Sequence, residues 1–166
     1  MVVIGLDPGL AITGYGIICQ EESGQLSVID CGAITTTGSK SGESERLLLI
    51  YRRIVELLAL HQPEAGAVER LFFHKNSRSA MAVGQARGVI LLALAQQAIP
   101  VYEYAPVEVK QALTGYGDSD KRQMQEMIRL RLGLDDLPRP DDVADALAVA
   151  ICHFQSYRIR GLARRP

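Results

Sequence analysis

Residues 2–16 read VVIGLDPGLAITGYG, and the first six of them decide how the rest of the chain is arranged. Val2–Leu6 is an apolar run stopped by Pro8-Gly9, the pattern of a buried strand closed by a turn. Side chains alternate along a strand, so Val3, Gly5 and Asp7 share one face and Val2, Ile4 and Leu6 the other. Asp7 therefore ends a strand too apolar to lie at the surface, and Gly5 beside it leaves room for another element to approach. Taken alone, Asp-Pro-Gly reads as a turn in which Asp7 accepts a backbone hydrogen bond. The acids further along the chain change that reading.

Outward from this strand, Thr13–Gln20 and Leu26–Thr37 are rich in Ile, Val, Thr and Tyr and are separated by Glu21-Glu22-Ser23-Gly24, which predicts an antiparallel meander. Glu43–His61 carries Leu47, Ile50, Ile54, Leu57 and Leu58 on one helical stripe and is stopped at Pro63. Ala65–Leu71 reads as a second short buried strand, holding Glu69. A helix followed by a strand after a meander implies a crossover, which sets this strand parallel to the first. Ser77–Ala98 reads as a long helix with few charges, in which Gly84 and Gly88 lie four apart and let another backbone come close. Pro100–Tyr104 is a fifth strand. Pro106–Leu113, Ser119–Leu132 and Asp141–Tyr157 are the remaining helices, and Arg158–Pro166 is a basic tail expected to fray.

A chain of 166 residues, 48% apolar and 22% charged, suits one globular domain, here placed at 1–157 with the tail at 158–166. The longest apolar stretch, Val89–Ala95, is far too short to span a membrane, and a first apolar run ending at Asp7 argues against a signal peptide. Cys19, Cys31 and Cys152 are odd in number and widely spaced, which excludes a CxxC zinc site and fits a reducing cytoplasm. The net charge of −1 hides an asymmetry: residues 1–69 carry −5 and residues 70–166 carry +4. A polyanion could use the later half, although from charge alone a solvated surface is the better explanation.

Four acids resist a bland explanation. Asp141 and Asp142 suit the first turn of a helix, where carboxylates meet the unpaired N–H groups and the dipole. Asp145 sits one turn further in, between small and apolar residues. Asp142 and Asp145, three apart, share a face, and Asp141 and Asp145, four apart, offer the alternative pair. Glu69 ends its strand as Asp7 does, on a face with Ala65 and Ala67. If the two strands are parallel neighbours, Asp7 and Glu69 lie side by side, and a helix across that edge adds the later acids. Such a set repels itself unless hard divalent cations hold it, and oxygen ligands suit Mg²⁺ or Mn²⁺. Two such ions about 3.5–4 Å apart stabilise the attacking and leaving oxygens of a phosphodiester displacement.

Gly5-Leu6-Asp7-Pro8-Gly9 with Thr13-Gly14-Tyr15-Gly16, then Val68-Glu69, Gly84-Gln85-Ala86-Arg87-Gly88, Val109-Lys110-Gln111 and Asp142-Val143-Ala144-Asp145-Ala146-Leu147-Ala148 resemble, in order, the RuvC family of Holliday junction resolvases. The resemblance implies an α/β, ribonuclease H-like fold with a five-stranded mixed sheet flanked by helices. It also implies a homodimer and hydrolysis of DNA strands at four-way junctions with two Mg²⁺ or Mn²⁺ ions per active site. The family's metal ligands fall on Asp7, Glu69, Asp142 and Asp145. Its junction-stacking aromatic falls on Phe72, with Phe73 next to it, and its phosphate-contacting lysines on Lys110 and Lys121. A branch-migration helicase complex of RuvA and RuvB is the partner it implies.

The residues around these matches are chemically apt. Phe72-Phe73 beside His74, Lys75 and Arg78 is an aromatic tip with a cationic collar, and base–aromatic stacking is worth about 1–3 kcal/mol. A lysine at the cut phosphate neutralises developing charge. Two other readings compete. The first strand and turn also resemble the phosphate loop of sugar kinases and actin-like ATPases, but those need a second lobe and a second glycine-rich motif. A non-catalytic nucleic-acid module of the same shape is the other, and an intact set of four acids argues against it.

Overall fold

The computed structural model describes residues 1–36, 42–70 and 77–162, with the backbone alone for 77–79 and 158–162. Five strands and five helices follow one another as β1 (Val2–Asp7), β2 (Ile12–Gln20), β3 (Leu26–Thr35), α1 (Glu43–His61), β4 (Ala65–Glu69), α2 (Ser77–Gln96), β5 (Val101–Tyr104), α3 (Pro106–Thr114), α4 (Lys121–Leu132) and α5 (Asp141–Leu162). They form one sheet in the order β3-β2-β1-β4-β5. The meander is antiparallel, β4 and β5 are parallel additions, and the crossover inferred from the helix between β3 and β4 is present. The last helix runs to Leu162, five residues past the Tyr157 expected from its apolar pattern. No helix among the described residues is long and apolar enough to cross a membrane, and the three cysteines are free thiols.

Each sheet face has its own core. Ile4, Leu6, Ile17 and Val68 pack against Ile50, Ile54, Leu57 and Leu58 of α1 and Ala86, Ile90 and Leu94 of α2. Val3, Ile18, Ala65 and Ala67 pack against Val143, Leu147 and Ile151 of α5, with Val109 and Leu113 of α3 and Ile128 of α4 behind. The face chosen by Val3, Gly5 and Asp7 is thus the α5 face.

Glycine sets how close α5 comes. A Cβ on Gly5 would collide with the Ala146 carbonyl, and one on Gly14 with the carbonyl of Asp142. Gly14 is the strand partner of Asp7. The approach that requires these glycines is therefore the one that lays the first turns of α5 across the end of β1. Replacing Gly14 with Val forces helix and sheet apart. It is expected to destabilise the chain by about 1–3 kcal/mol, read from the urea midpoint.

Candidate active site

Asp7 and Glu69 end adjacent parallel strands. The pairing runs Val3–Ala65 to Leu6–Val68, which leaves the two acids one step beyond, on the face that α5 covers. Helix α5 is buried at every position from Val143 to Phe154 except Asp145, which is exposed, while Asp142 is half-buried one turn earlier. A helix this apolar keeps one carboxylate facing outward because the sheet ends beneath it. Asp7, Glu69, Asp142 and Asp145, from three separate elements, thereby meet at one edge of the sheet.

Their mutual influence is visible in their protonation. Asp7 is pushed up to about 7, first by burial and then by the charges of Asp145, Glu69 and Asp142, with Lys121 opposing. Glu69 is raised by burial and by Asp145. Asp145, accessible to solvent yet crowded by the packed residues around it, is raised first by desolvation, relieved by Lys121, and raised again by Asp141 and Asp142. Among the described residues, no three His, Cys, Asp or Glu side chains close on a single point as they would around an ion. Lys121 offsets only part of the repulsion among the carboxylates, and the remainder adds to burial in lifting Asp7. The donor set is oxygen throughout, which suits a hard divalent cation.

Asp141 acts on Asp145 as well, but its carboxylate is engaged by a neighbouring helix. Its carboxylate lies 2.6 Å from Lys121 Nζ and accepts a hydrogen bond from Gln125 Nε2 at 3.0 Å. The Lys121 hydrogen bond holds its pKa below the usual carboxylate range. Of the two acids, Asp141 and Asp142, Asp142 is the one whose charge raises Asp7. Lys121 is in turn held charged, chiefly by Asp141 and further by Asp145 and Asp142. Lys110 of α3 and Lys121 of α4 line the same cleft as Glu69 and Asp145. Arg78 falls in the first turn of α2, where only the backbone is described, and Phe72, Phe73 and Lys75 lie outside the described residues.

The RuvC family pattern, described as crossover junction endodeoxyribonuclease RuvC, matches residues 3–153. The chain belongs to the RuvC family. It is 58% identical over 150 residues to the crossover junction endodeoxyribonuclease RuvC of Roseiflexus sp. strain RS-1, covering 90% of this chain and 88% of that one. Identity to the enzyme of the same name from Caldicellulosiruptor saccharolyticus is 51% over 156 residues, covering 94% and 93%. Thermus thermophilus RuvC, solved in complex with a Holliday junction substrate, superposes with a TM-score of 0.91 at 38% identity, covering 96% of each chain. The yeast mitochondrial resolvase Ydc2, at 14% identity and a TM-score of 0.67 over 98% of this chain and 84% of that one, shares the fold. The ribonuclease H-like fold expected from the RuvC resemblance is thereby established.

The grouping of Asp141 and Gln125 with Lys121 is not legible in the sequence. Asp141 is 20 positions from Lys121, and nothing between them links the two. Gln125 is legible only once Lys121 is known to matter, because it lies one helical turn later and so shares its face.

Proposed function

We infer that this chain is a structure-selective endodeoxyribonuclease that resolves four-way DNA junctions by paired, symmetric nicks. The observation that carries the inference is the meeting of Asp7, Glu69, Asp142 and Asp145, with Asp7 raised to about 7 by burial and by its neighbours, beside a cleft edged by Lys110 and Lys121. In this reading the four acids hold Mg²⁺ or Mn²⁺, two ions per site. Bound there, the cations supply charge stabilisation to the attacking and leaving oxygens of a phosphodiester.

The chain's own residues do the rest. The carboxylates set where the phosphate sits, since they are fixed by two strand ends and one buried helix. Lys121, held by Asp141, and Lys110, which lines the same cleft, neutralise charge that grows on the phosphate oxygens. Cleavage with departure of the 3′ oxygen leaves a 5′ phosphate and ligatable ends. Phe72 or Phe73 stacks on a base near the crossing point, with Lys75 and Arg78 on the adjoining backbone.

Two active sites on two strands related by junction symmetry require a two-fold dimer. Helix α2 suits that contact. It buries Ala86, Ile90, Ala93 and Leu94 inward but leaves Met81 and Leu92 68% and 53% exposed. A Cβ added at Gly84 or Gly88 meets nothing, so that stripe is open to a second backbone. The cytoplasm is the expected compartment, and a RuvA–RuvB branch-migration complex the expected partner.

The test is cleavage of a synthetic four-way junction in Mg²⁺ or Mn²⁺, with linear duplex as control. Paired, metal-dependent nicks confined to the junction support the reading, and binding without cutting under either metal refutes it. In the same assay Lys110→Ala and Lys121→Ala are each expected to slow single-turnover cleavage roughly tenfold to a hundredfold. Junction affinity should change much less, because each lysine acts at one phosphate among many.

A further inference from the structure

Asp7 is the last residue of β1 and is held on one side only. It pairs with Gly14 of β2, while the pairing with β4 stops at Leu6, one residue short of it. The charges of Asp145, Glu69 and Asp142 push against its own. A strand end in that position yields unless the chain beyond it is fixed. Here it is fixed carbonyl by carbonyl. The Gly9 carbonyl accepts from Thr13 Oγ1 at 2.6 Å, and the Ala11 carbonyl from the Thr36 N–H at 2.9 Å. The Leu10 carbonyl accepts twice, from the Thr36 hydroxyl and from Arg46 Nη2 at 3.3 Å. Arg46, in the first turn of α1, also donates from Nε to Thr36 Oγ1 at 2.8 Å. A guanidinium can only donate, so it dictates where the single proton of the Thr36 hydroxyl goes, which is to Leu10. Thr13 and Thr36 are 0% and 2% exposed, and polar groups so buried are costly to leave unpaired.

We propose that Arg46 is a positioning residue for the four acids: through Thr36 and the Leu10 carbonyl it fixes the turn behind Asp7 and so keeps the carboxylate edge in the shape that binds divalent cations. The proposal rests on the metal-dependent nuclease reading of that edge. Among the described residues, the side-chain hydrogen bonds of Arg46 go to Thr36 and Leu10 and not to an acid. Its effect on Asp7 therefore runs through the backbone. Little freedom is left on that path, because the ring of Pro8 locks one torsion and Thr13 restrains Gly9. Leu10 is also anchored, in the same core as Ile34, Ile50 and Ile54. The clasp joins the turn after β1, the residue following β3 and the start of α1, three parts of the chain that have no other reason to share a polar contact. Groups that orient metal-binding side chains in this way govern cation affinity without touching the cation.

The test follows the thermal midpoint against Mg²⁺ concentration, which needs neither DNA nor cutting. A cation bound only to the folded chain raises the midpoint, and the concentration at which the rise begins reports its affinity. A purely structural loss lowers the midpoint by the same amount at every concentration. Arg46→Ala is expected to raise the required Mg²⁺ about tenfold. Thr36→Val should shift it in the same direction, and Arg46→Lys, which keeps one donor, by less. The double change of Arg46→Ala with Thr36→Val should add little to Arg46→Ala alone, since the two residues form one chain of bonds. Single-turnover junction cleavage should show the same higher Mg²⁺ requirement, with excess Mg²⁺ restoring most of the rate and junction affinity in EDTA unchanged. An unaltered Mg²⁺ requirement in these variants would overturn the proposal, whether the midpoint falls uniformly or junction binding in EDTA weakens. If Arg46→Ala does not fold, Thr36→Val and Arg46→Lys decide. A wild type that Mg²⁺ stabilises but that cuts no junction would overturn the nuclease reading alone, because the midpoint series still decides the role of Arg46.

Discussion

Asp7→Asn is expected to abolish junction cleavage, by at least roughly a thousandfold, while junction binding persists and the metal-free protein becomes more stable. The two effects share one cause. Folding buries Asp7 among Asp145, Glu69 and Asp142, and its pKa rises from 3.8 to about 7. Between those values the folded chain holds a proton that the unfolded chain has released. Stability therefore falls as pH rises through that window, and above pH 7 the full cost of an ionised Asp7 is carried. Asparagine keeps the shape and removes the charge, so it should add about 2–4 kcal/mol at pH 8 and almost nothing at pH 4. Urea unfolding of both proteins in EDTA at the two pH values measures this. Added Mg²⁺ should raise the wild-type midpoint at pH 8 and leave the variant nearly unchanged, because ligand bound only to the folded state stabilises it. Equal stability of the two proteins in EDTA at pH 8 would refute the repulsive arrangement of acids.

The second large effect is expected at α2. Leu92→Asp places a charge on the exposed apolar stripe that also carries Met81, Gly84 and Gly88. It touches neither the sheet core, held by Ile90 and Leu94, nor the acids. A desolvated charge with no partner at a dimer interface costs several kcal/mol. Dimer dissociation is therefore expected to shift by at least about a hundredfold, seen by sedimentation at micromolar protein. The variant should keep its thermal midpoint as a monomer, still nick at a reduced rate, and lose the pairing of nicks on opposite strands. A dimer of wild-type affinity would place the interface elsewhere. In the proposed dimer this is a surface that function requires and stability does not, which accounts for apolar residues exposed in the single chain.

Much of the site is legible in the amino-acid sequence. Asp7 and Glu69 are conspicuous because an acid at the end of an all-apolar strand has no reason of stability to be there. Asp145 is conspicuous because the helix around it is apolar on every side. Gly5 signals a close approach, and α5 makes it. The choice between Asp141 and Asp142 is not legible. Both suit a helix start, and positions three and four before Asp145 are equally good neighbours on a helix. In the structure Lys121 and Gln125, on another helix, engage Asp141, while Asp142 is the one whose charge acts on Asp7.

The same division holds for the fold. Strand and helix identities, the antiparallel meander and the parallel β1–β4 pair follow from local periodicity, turn residues and the handedness of crossovers, all of which act within a few tens of residues. The sequence by itself therefore determined which acids are anomalous, how the residues of β1 divide between its two faces, which stripe of α1 packs inward, and the family to which the chain belongs. Tertiary structure alone decided that the acids share one edge of the sheet, that burial and their repulsion lift Asp7 to about 7, and that a cleft opens between α3, α4 and α5. Those properties depend on distances between groups separated by up to 138 positions along the chain, from Asp7 to Asp145. Charge coupling and empty space arise only once packing brings such groups together.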